Sequence, residues 1–330
     1  MPKIRAPRSF NTVKNSNRNE RLKKQQKQRL LILAMLATVA LLVLTLAVFA
    51  VCAIVGAIAG NDEPEETPTP PAGSVIYQDI TEITSKIHSG PLIVVNKSYI
   101  YSFPTSPTQG FKNFKTEDRV TINGNNAYQI NQSAVSLYAR PEAFEAFESM
   151  LRDYYMQTED GAVKIREVYR SADAQENMNT SVKSGYSDHH TGYLFNISSF
   201  DNTSLPADHW IYQNCHKYGF IIRYPADKTT QTGVSNYPEA IRYVGVAHAT
   251  YMKNNSLCLE EYVNRLKDHT LNNALSVTSD NGNRYQIYYI PANPTDALVQ
   301  FKVPSNYSYE VSGDNVGGLI VTVNLNSPTE

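Results

Sequence analysis

The stretch that decides the fold is SDHHTGYLFNI, at residues 187–197. It is preceded by VYRS at residues 168–171, with Gln175 shortly after, and it is followed by KYGFIIRYPADKTTQTGVSNYPEAIRYVG at residues 217–245. The polar and ionisable residues in these three stretches are the candidates for a functional site. The apolar residues between them are candidates for a core.

Hydrophobic spacing around these stretches predicts helices and strands in irregular alternation. A helix is predicted to open at Pro141, where the missing proline N–H does no harm, with its core-facing residues at helical spacing: Phe144, Phe147, Met150, Leu151 and Tyr154. Further helices are predicted over residues 207–218, ended by Gly219, and around residues 259–266. Strands are predicted at residues 91–95, 163–169, 220–224 and 241–245. Such a mixture without regular βαβ alternation indicates an α+β domain.

Composition divides the rest of the chain into segments. Residues 61–73, NDEPEETPTPPAG, are acidic and Pro-rich and predict an extended tether, because they cannot bury a core. Residues 74–270 are predicted to hold the α+β domain. Residues 271–330 contain β-rich runs separated by turn residues, which predict a small β appendage.

The first 60 residues predict a membrane anchor. Residues 1–29 carry ten Lys or Arg and one acidic residue, so this basic arm has a formal charge of about +9 and the remainder about −10. Residues 30–60 contain no charged residue, and this run of 31 exceeds the ~20 apolar residues that a spanning helix needs. The positive-inside rule places the arm in the cytoplasm and the C-terminal domain outside the cell.

Two other interpretations of these first segments remain open. Residues 57–59 resemble a signal-peptide cleavage site, but the apolar run is about twice as long as the ~7–15 residues of a signal peptide. A basic arm can also bind nucleic acid, but directly before a span it is better explained by topology and anionic lipid. The predicted location is therefore the cell membrane, with a single pass and no nucleic-acid partner.

The three quoted stretches resemble the VanY-type D-alanyl-D-alanine carboxypeptidases, a bacterial family of zinc metallopeptidases. Residues 168–175 are similar to the family's Y-R-S-x-x-x-Q, and residues 187–197 to its S-x-H-x-x-G-x-A-x-D. Residues 217–245 are similar to Y-G-F-I-L-R-Y-P, then T-G, then E-P-W-H-F-R-Y-V-G. The resemblance runs in order over residues 91–267. It implies a small antiparallel sheet flanked by helices, and activity on peptidoglycan stem peptides.

The resemblance also implies which residues stand at the zinc site. Family members hold one Zn²⁺ with His, Asp and a second His, and a Glu acts as general base on the zinc-bound water. Here His189 matches the first ligand, but Asn196 stands at the Asp position and Ala240 at the second His position. Tyr237 stands at the position of the general base. Because two of three ligands and the base are substituted, we expect an inactive site without a cofactor.

A rebuilt zinc site is the alternative, and four residues could contribute to it. Glu239 and His190 each lie next to a ligand position, although neighbouring residues of a strand point to opposite faces. His209 and His248 are further candidates without a motif. Ligand number and geometry must be satisfied together for zinc to bind.

Three residues match family positions on the substrate side: Arg170, Gln175 and Ser187. In the family, the planar fork of an Arg suits the terminal carboxylate of a peptide. The competing interpretation is that Arg170 and Ser187 hold the fold through an ion pair and a turn.

Two interpretations of the cysteines remain open. Cys52 lies in the predicted span, and Cys215 and Cys258 lie in the predicted external domain. The latter two could pair in an oxidising compartment, or they could be two small buried hydrophobes, which we favour.

Three functions follow. The first is a non-catalytic, membrane-anchored VanY-like domain that binds cell-wall peptide or a protein partner in the envelope. The second is an active zinc D,D-carboxypeptidase with a rearranged metal site. The third is a structural envelope protein. Zinc content separates the second from the others, and binding of a D-Ala-D-Ala peptide separates the first from the third.

We predict that external protease on intact cells digests residues 74–330 and spares the basic arm, because the charge asymmetry directs the C-terminal part outward. Immunoblots against each segment measure this, with permeabilised cells as the control in which both are digested. Protection of the C-terminal part on intact cells would reverse the orientation.

Overall fold

The computed structural model describes residues 74–115, 119–131, 137–178, 180 and 182–329. The predicted basic arm, membrane span and tether, residues 1–73, lie outside the described residues. Within the described part, no helix has the length and apolar character needed to cross a membrane.

The described residues form fifteen strands and six α-helices. The strands are β1 (Tyr77–Ile83), β2 (Lys112–Phe114), β3 (Thr121–Ile122), β4 (Asn125–Asn126), β5 (Gln129–Ile130), β6 (Leu137–Ala139), β7 (Lys164–Glu167), β8 (Leu194–Ser198), β9 (Phe220–Tyr224), β10 (Tyr237–Tyr243), β11 (Leu275–Thr278), β12 (Arg284–Pro291), β13 (Leu298–Pro304), β14 (Tyr307–Gly313) and β15 (Gly318–Pro328). The helices are α1 (Pro141–Thr158), α2 (Ala172–Asn177), α3 (Trp210–Asn214), α4 (Thr229–Thr232), α5 (Val246–Asn254) and α6 (Leu259–Leu266).

A five-stranded central sheet, in the order β5-β7-β8-β10-β9, contains strands from the stretches quoted above. Its pairs are antiparallel except β5 with β7 at the edge. Helix α1 starts at Pro141 as predicted and buries its apolar stripe on this sheet, where Phe147 stacks on Phe195 at 4.5 Å between ring centroids. The result is a mixed α/β domain built on a mainly antiparallel sheet.

A second, antiparallel sheet of order β11-β12-β15-β14 forms from the C-terminal residues. One of its faces packs through Ile287 and Ile320 against the residues of α6. Its other face contacts β13, which pairs along its whole length with β1 near the start of the described residues. The predicted division at residue 270 stays a prediction, but β1 belongs spatially with the C-terminal strands.

Residues 91–95 are not the strand that their apolar run predicts. They are irregular, although Leu92, Ile93, Val94 and Val95 are all buried. Their backbone groups bond to single atoms of other segments, such as the N–H of Val94 to the carbonyl of Asp314 at 3.0 Å. The hydrophobicity of residues 91–95 therefore predicted their burial correctly. The strand prediction was wrong, because these described residues have no continuous ladder of backbone hydrogen bonds to a neighbouring strand.

Other boundaries shift by a few residues. The strand predicted at residues 241–245 is β10, which starts four residues earlier and therefore includes Tyr237 and Ala240. The helix predicted from residue 207 begins at Trp210 and ends in a 3₁₀ turn, with Gly219 in the left-handed region at φ 84° as predicted. Strand β9 has the predicted bounds.

Cys215 and Cys258 are both buried and unpaired, which agrees with the interpretation as small hydrophobes. Burial raises the pKa of the Cys215 thiol and of the Cys258 thiol to about 12. Neither thiol is therefore ionised at neutral pH, and neither is a reactive nucleophile.

A buried ion network holds the central sheet to its surroundings. Asp188, whose side chain is fully buried, accepts from Arg223 of β9 at 2.6 Å and from Arg242 of β10 at 3.0 Å. Arg223 in turn donates two hydrogen bonds to Glu260 of α6, at 2.9 and 2.6 Å. Because Asp188 precedes His189, the network fixes the segment that carries the first family ligand position.

We predict that Asp188→Asn lowers the free energy of unfolding by about 3–5 kcal/mol, because it leaves the buried guanidinium of Arg242 without a counter-charge and leaves Arg223 with Glu260 alone. Chemical denaturation measures this. The matched control is Asp79→Asn, whose ion pair with Lys302 is about half exposed and should be worth less than about 1 kcal/mol. Equal effects of the two substitutions would show that the buried network contributes no special stability.

We also predict that the protein loses stability in acid through this network. The neighbouring arginines hold the pKa of Asp188 below its usual 3.8 and, despite burial, Arg223 holds that of Glu260 below 4.5. A carboxyl whose pKa is lower in the folded state stabilises above its unfolded pKa, and this contribution disappears as the pH falls below about 4. Melting temperatures over that range should fall more steeply for wild type than for Asp188→Asn; parallel curves would contradict the assignment.

Candidate ligand-binding cavity

One cavity of about 890 Å³ brings together most of the residues that the sequence singled out. Its lining includes Arg170, Gln175, Ser187, His189, Asn196 and Tyr237. Ala240 is fully buried and lies beside Asn196 on the neighbouring strand. The three motifs, which are separate along the chain, thus contribute to one cavity in the fold.

Three strands place their side chains in a row beneath this cavity. Asn196 of β8 is the register partner of Glu167 on β7 and of Ala240 on β10. Directly opposed residues of antiparallel strands have Cβ atoms about 5 Å apart on the same face. The positions that the family uses for two of its metal ligands are therefore adjacent, which supports the residue-by-residue comparison.

His189 is held in one protonation form by its hydrogen bonds. Its Nδ1 lies 2.6 Å from the carbonyl oxygen of Val168, which can only accept, so Nδ1 carries the proton. Burial, the largest influence, lowers the pKa of His189 below 6.5, and the neutral ring keeps a lone pair on Nε2. The amide nitrogen of Asn196 lies 3.1 Å from that Nε2 and donates to it.

Gly192 ends the short 3₁₀ helix Asp188–Thr191 that carries His189. It has φ 74°, in the left-handed region. A Cβ at this position would lie 2.6 Å from the ring of Phe111. The glycine of the quoted motif is therefore required by backbone conformation and by close packing.

Arg170 is bound within the protein rather than left open toward the cavity. It forms a two-pronged ion pair with Glu167, through Nε to Oε1 at 2.7 Å and through Nη2 to Oε2. Its Nη1 donates to Oε1 of Gln175 at 2.7 Å. Gln175 is itself buried and donates to the carbonyl of Val182 at 2.8 Å. Two of the three predicted substrate-side residues, Arg170 and Gln175, thus have internal partners.

The donor set at the family's metal position does not match zinc. A catalytic zinc takes three protein ligands with free lone pairs. Here the lone pair of His189 Nε2 accepts from Asn196, the Asn196 side chain is a neutral amide, and Ala240 has only a methyl group. Among the described residues, no cluster of three or more His, Cys, Asp or Glu side chains is arranged to hold a metal ion.

The residues considered for a rebuilt site have partners elsewhere. His190 bonds through Nδ1 to the carbonyl of Arg170 and through Nε2 to the N–H of Gly185. His209 contacts Tyr154, and His248 contacts Tyr262 and Thr322. Glu239 is buried but does not line the cavity. The three histidines are therefore engaged with other groups, and Glu239 is not in the cavity lining that contains His189 and Asn196.

The roles of two residues, Glu167 and Asp188, were not predicted from the sequence. Glu167, which ends β7, places Oε2 3.9 Å from His189 Nε2. Asp188 lies inside the motif itself and anchors the ion network. A signal for Asp188 was present, because FIIRY and EAIRY each place an Arg inside an apolar strand, and a buried Arg requires a counter-charge.

Comparison with known proteins identifies the family. The sequence model described as VanY, D-alanyl-D-alanine carboxypeptidase, matches residues 136–246. A D-alanyl-D-alanine carboxypeptidase of Enterococcus faecium is 33% identical over 257 residues, which cover 74% of this chain and 79% of that protein. A second one, from Enterococcus faecalis, is 42% identical over 102 residues, which cover 30% of this chain and 38% of that protein. The chain therefore belongs to the VanY-type D-alanyl-D-alanine carboxypeptidase family.

A solved structure supports the same fold. The vancomycin-resistance D,D-dipeptidase VanXYg, crystallised with a D-Ala-D-Ala phosphinate analogue, superposes with a TM-score of 0.62 and covers 76% of this chain and 99% of its own. Its sequence identity of 23% makes this a likeness of fold. The mixed α/β architecture thus resembles that of this D,D-dipeptidase.

We predict that Asn196→Asp, Tyr237→Glu and Ala240→His together create zinc binding. The row across β8 and β10 places residues 196 and 240 side by side, next to His189. The triple variant would then supply the family's three ligands and its base. Each single change should bind little zinc, because an incomplete set does not hold the metal. Metal analysis after dialysis measures this.

The control is the same triple variant with His189→Ala added, which should lose the zinc again. Release of terminal D-Ala is a weaker expectation than metal binding, because a site displaced by about 1 Å loses most of its rate. A folded triple variant without zinc would show that the residue correspondence or the inherited geometry is wrong.

Proposed function

We propose that this protein is a non-catalytic member of the VanY-type family, which binds a cell-wall peptide or an envelope protein in the cavity described above. The observation that carries the proposal is the hydrogen bond between Asn196 and His189. It occupies the one lone pair that survives from the family's ligand set. Without a metal to polarise the scissile carbonyl and to activate water, the family's peptide hydrolysis lacks its Lewis acid.

The residue at the base position supports the same conclusion. Tyr237 lines the cavity, but burial raises the pKa of its phenol above the usual 10. A general base must be deprotonated near the working pH. A Tyr in this environment is protonated at neutral pH, so it does not replace the carboxylate of the family's Glu.

The cavity supports binding as the retained function. Its volume of about 890 Å³ falls within the roughly 300–1,000 Å³ of typical ligand sites. Its lining combines tyrosines with ionisable and amide groups, a mixture suited to a peptide. The relatives are named D-alanyl-D-alanine carboxypeptidases, so a stem peptide ending in D-Ala-D-Ala is the first ligand to test.

We further propose that the N-terminal segments hold this domain at the outer face of the cell membrane. The uncharged run of 31 residues and the basic arm before it support an uncleaved, single-pass anchor with a cytoplasmic N-terminus. The acidic, Pro-rich residues 61–73 would then separate the domain from the bilayer. Such a position gives the cavity access to peptidoglycan and to envelope proteins.

One observation favours a second candidate, an active enzyme with a rearranged zinc site. The carboxylate of Glu167 lies 3.9 Å from His189 Nε2, so a rotation of Asn196 could open a pair of ligands. Against it, Glu167 is held by both prongs of Arg170. A pair of ligands is also one short of the three that catalytic zinc sites use.

We predict that the purified full-length protein contains well under one zinc per chain and that chelator leaves its melting temperature unchanged. It should bind a stem pentapeptide ending in D-Ala-D-Ala without releasing D-Ala, whereas the same peptide ending in L-Ala-L-Ala serves as the control. Elemental analysis, calorimetry and an assay for free D-Ala measure these three properties. Stoichiometric zinc whose removal destabilises the protein would favour the active enzyme, and absence of peptide binding would favour a structural role.

A further inference from the structure

The groups that could capture a peptide carboxylate deep in the cavity are already engaged. Arg170 directs two prongs of its guanidinium at Glu167 and a third N–H at Gln175. Its side chain is one-tenth exposed. The other Arg of the lining, Arg166, is exposed. A terminal carboxylate that entered the deep end would have to displace Glu167 from an ion pair with two hydrogen bonds.

Two successive hydrogen bonds, from His189 to Val168 and from Asn196 to His189, fix the orientation of the Asn196 side chain. The carbonyl of Val168 accepts from His189 Nδ1, so His189 Nε2 must accept. Only the NH₂ end of the Asn196 amide can donate to it. The carbonyl oxygen Oδ1 therefore occupies the other branch of the amide, and a flipped amide would place two acceptors together.

This Oδ1 has no hydrogen-bond partner among the described residues. Asn196 lines the cavity and is more than nine-tenths buried. Of the buried side-chain oxygen and nitrogen atoms in the described residues that line this cavity, it alone is unsatisfied. An unmet buried acceptor is unfavourable, so a ligand that supplies a donor gains from it.

The neighbouring positions define the kind of donor. On one side, across the strands, stands the carboxylate of Glu167, and on the other stands the methyl group of Ala240. The charge of Glu167 is already balanced by Arg170. The row therefore offers acceptors without an uncompensated negative charge, which suits a neutral N–H group and gives a carboxylate no free donor.

We propose that the deep end of the cavity recognises an amide N–H of a peptide through Asn196 Oδ1, and not a free terminal carboxylate. The ligand is then a peptide whose C-terminus is amidated or continues beyond the cavity. This inference rests on the proposed function, because it names the chemical group that the peptide presents. The chemical preference at this position is then the reverse of that of a metal site. A metal ion attracts an oxygen atom of the ligand, whereas Asn196 Oδ1 attracts a hydrogen-bond donor.

The test compares the D-Ala-D-Ala stem pentapeptide as the free acid with the same peptide as its C-terminal carboxamide. Calorimetry with the full-length wild-type protein should give about tenfold tighter binding of the carboxamide, the scale of one hydrogen bond to an otherwise unmet acceptor. Asn196→Leu, which keeps the size but removes the acceptor, should abolish this preference.

The outcomes separate this inference from the proposed function. Equal or tighter binding of the free acid, or a carboxamide preference that survives in a folded Asn196→Leu variant, overturns the inference and leaves peptide binding intact. Failure of both peptides to bind the wild type overturns the peptide ligand itself and the inference with it. The wild-type comparison is decisive even if Asn196→Leu does not fold.

Discussion

The rest of the structure depends on one buried charge, the carboxylate of Asp188. It binds Arg223 and Arg242 from neighbouring strands, and Arg223 extends the network to Glu260 of α6. Removing these four charges from water costs several kcal/mol per ion, and only complete pairing recovers it. The 3₁₀ helix that starts at Asp188 therefore has one position relative to the sheet. The position of His189, which lies in this 3₁₀ helix, is therefore fixed as well, whatever binds beside it.

This anchoring explains how the cavity could change its chemistry while the fold persisted. The groups that define the segment geometry, Asp188 and Gly192, are separate from the groups that face the cavity, Asn196 and Tyr237. Zinc contributes to folding only where its ligands are the structural links. Here the described links of this segment are an ion network and a packed core, so under the proposed function we expect the domain to keep its shape without a metal.

The sequence was sufficient for features set by local rules and insufficient for features set by distant partners. The apolar spacing from Pro141 predicted α1, because amphipathic period and proline position act within one helix. Residues 91–95 were assigned to a strand because burial and strand pairing produce the same apolar run. The pairing of β1 with β13 joins residues more than 200 positions apart, and no local pattern encodes it. An ion pair for Arg170 was one of the two interpretations of the sequence, but Glu167 as its partner was not predicted, because a motif gives the residue type and not its partner.

The substitutions at positions 196 and 240 make sense as a single physical change. An aspartate at position 196 without a metal would be a buried negative charge directly across the strand from Glu167. Asn has nearly the same shape, carries no charge and donates to the lone pair of His189 that the metal would otherwise use. A second imidazole at position 240 would add another buried polar group without a partner, whereas Ala240 adds none. Each residue is thus suited to a site without zinc, and restoring only one family ligand would leave an unpaired group rather than half a metal site.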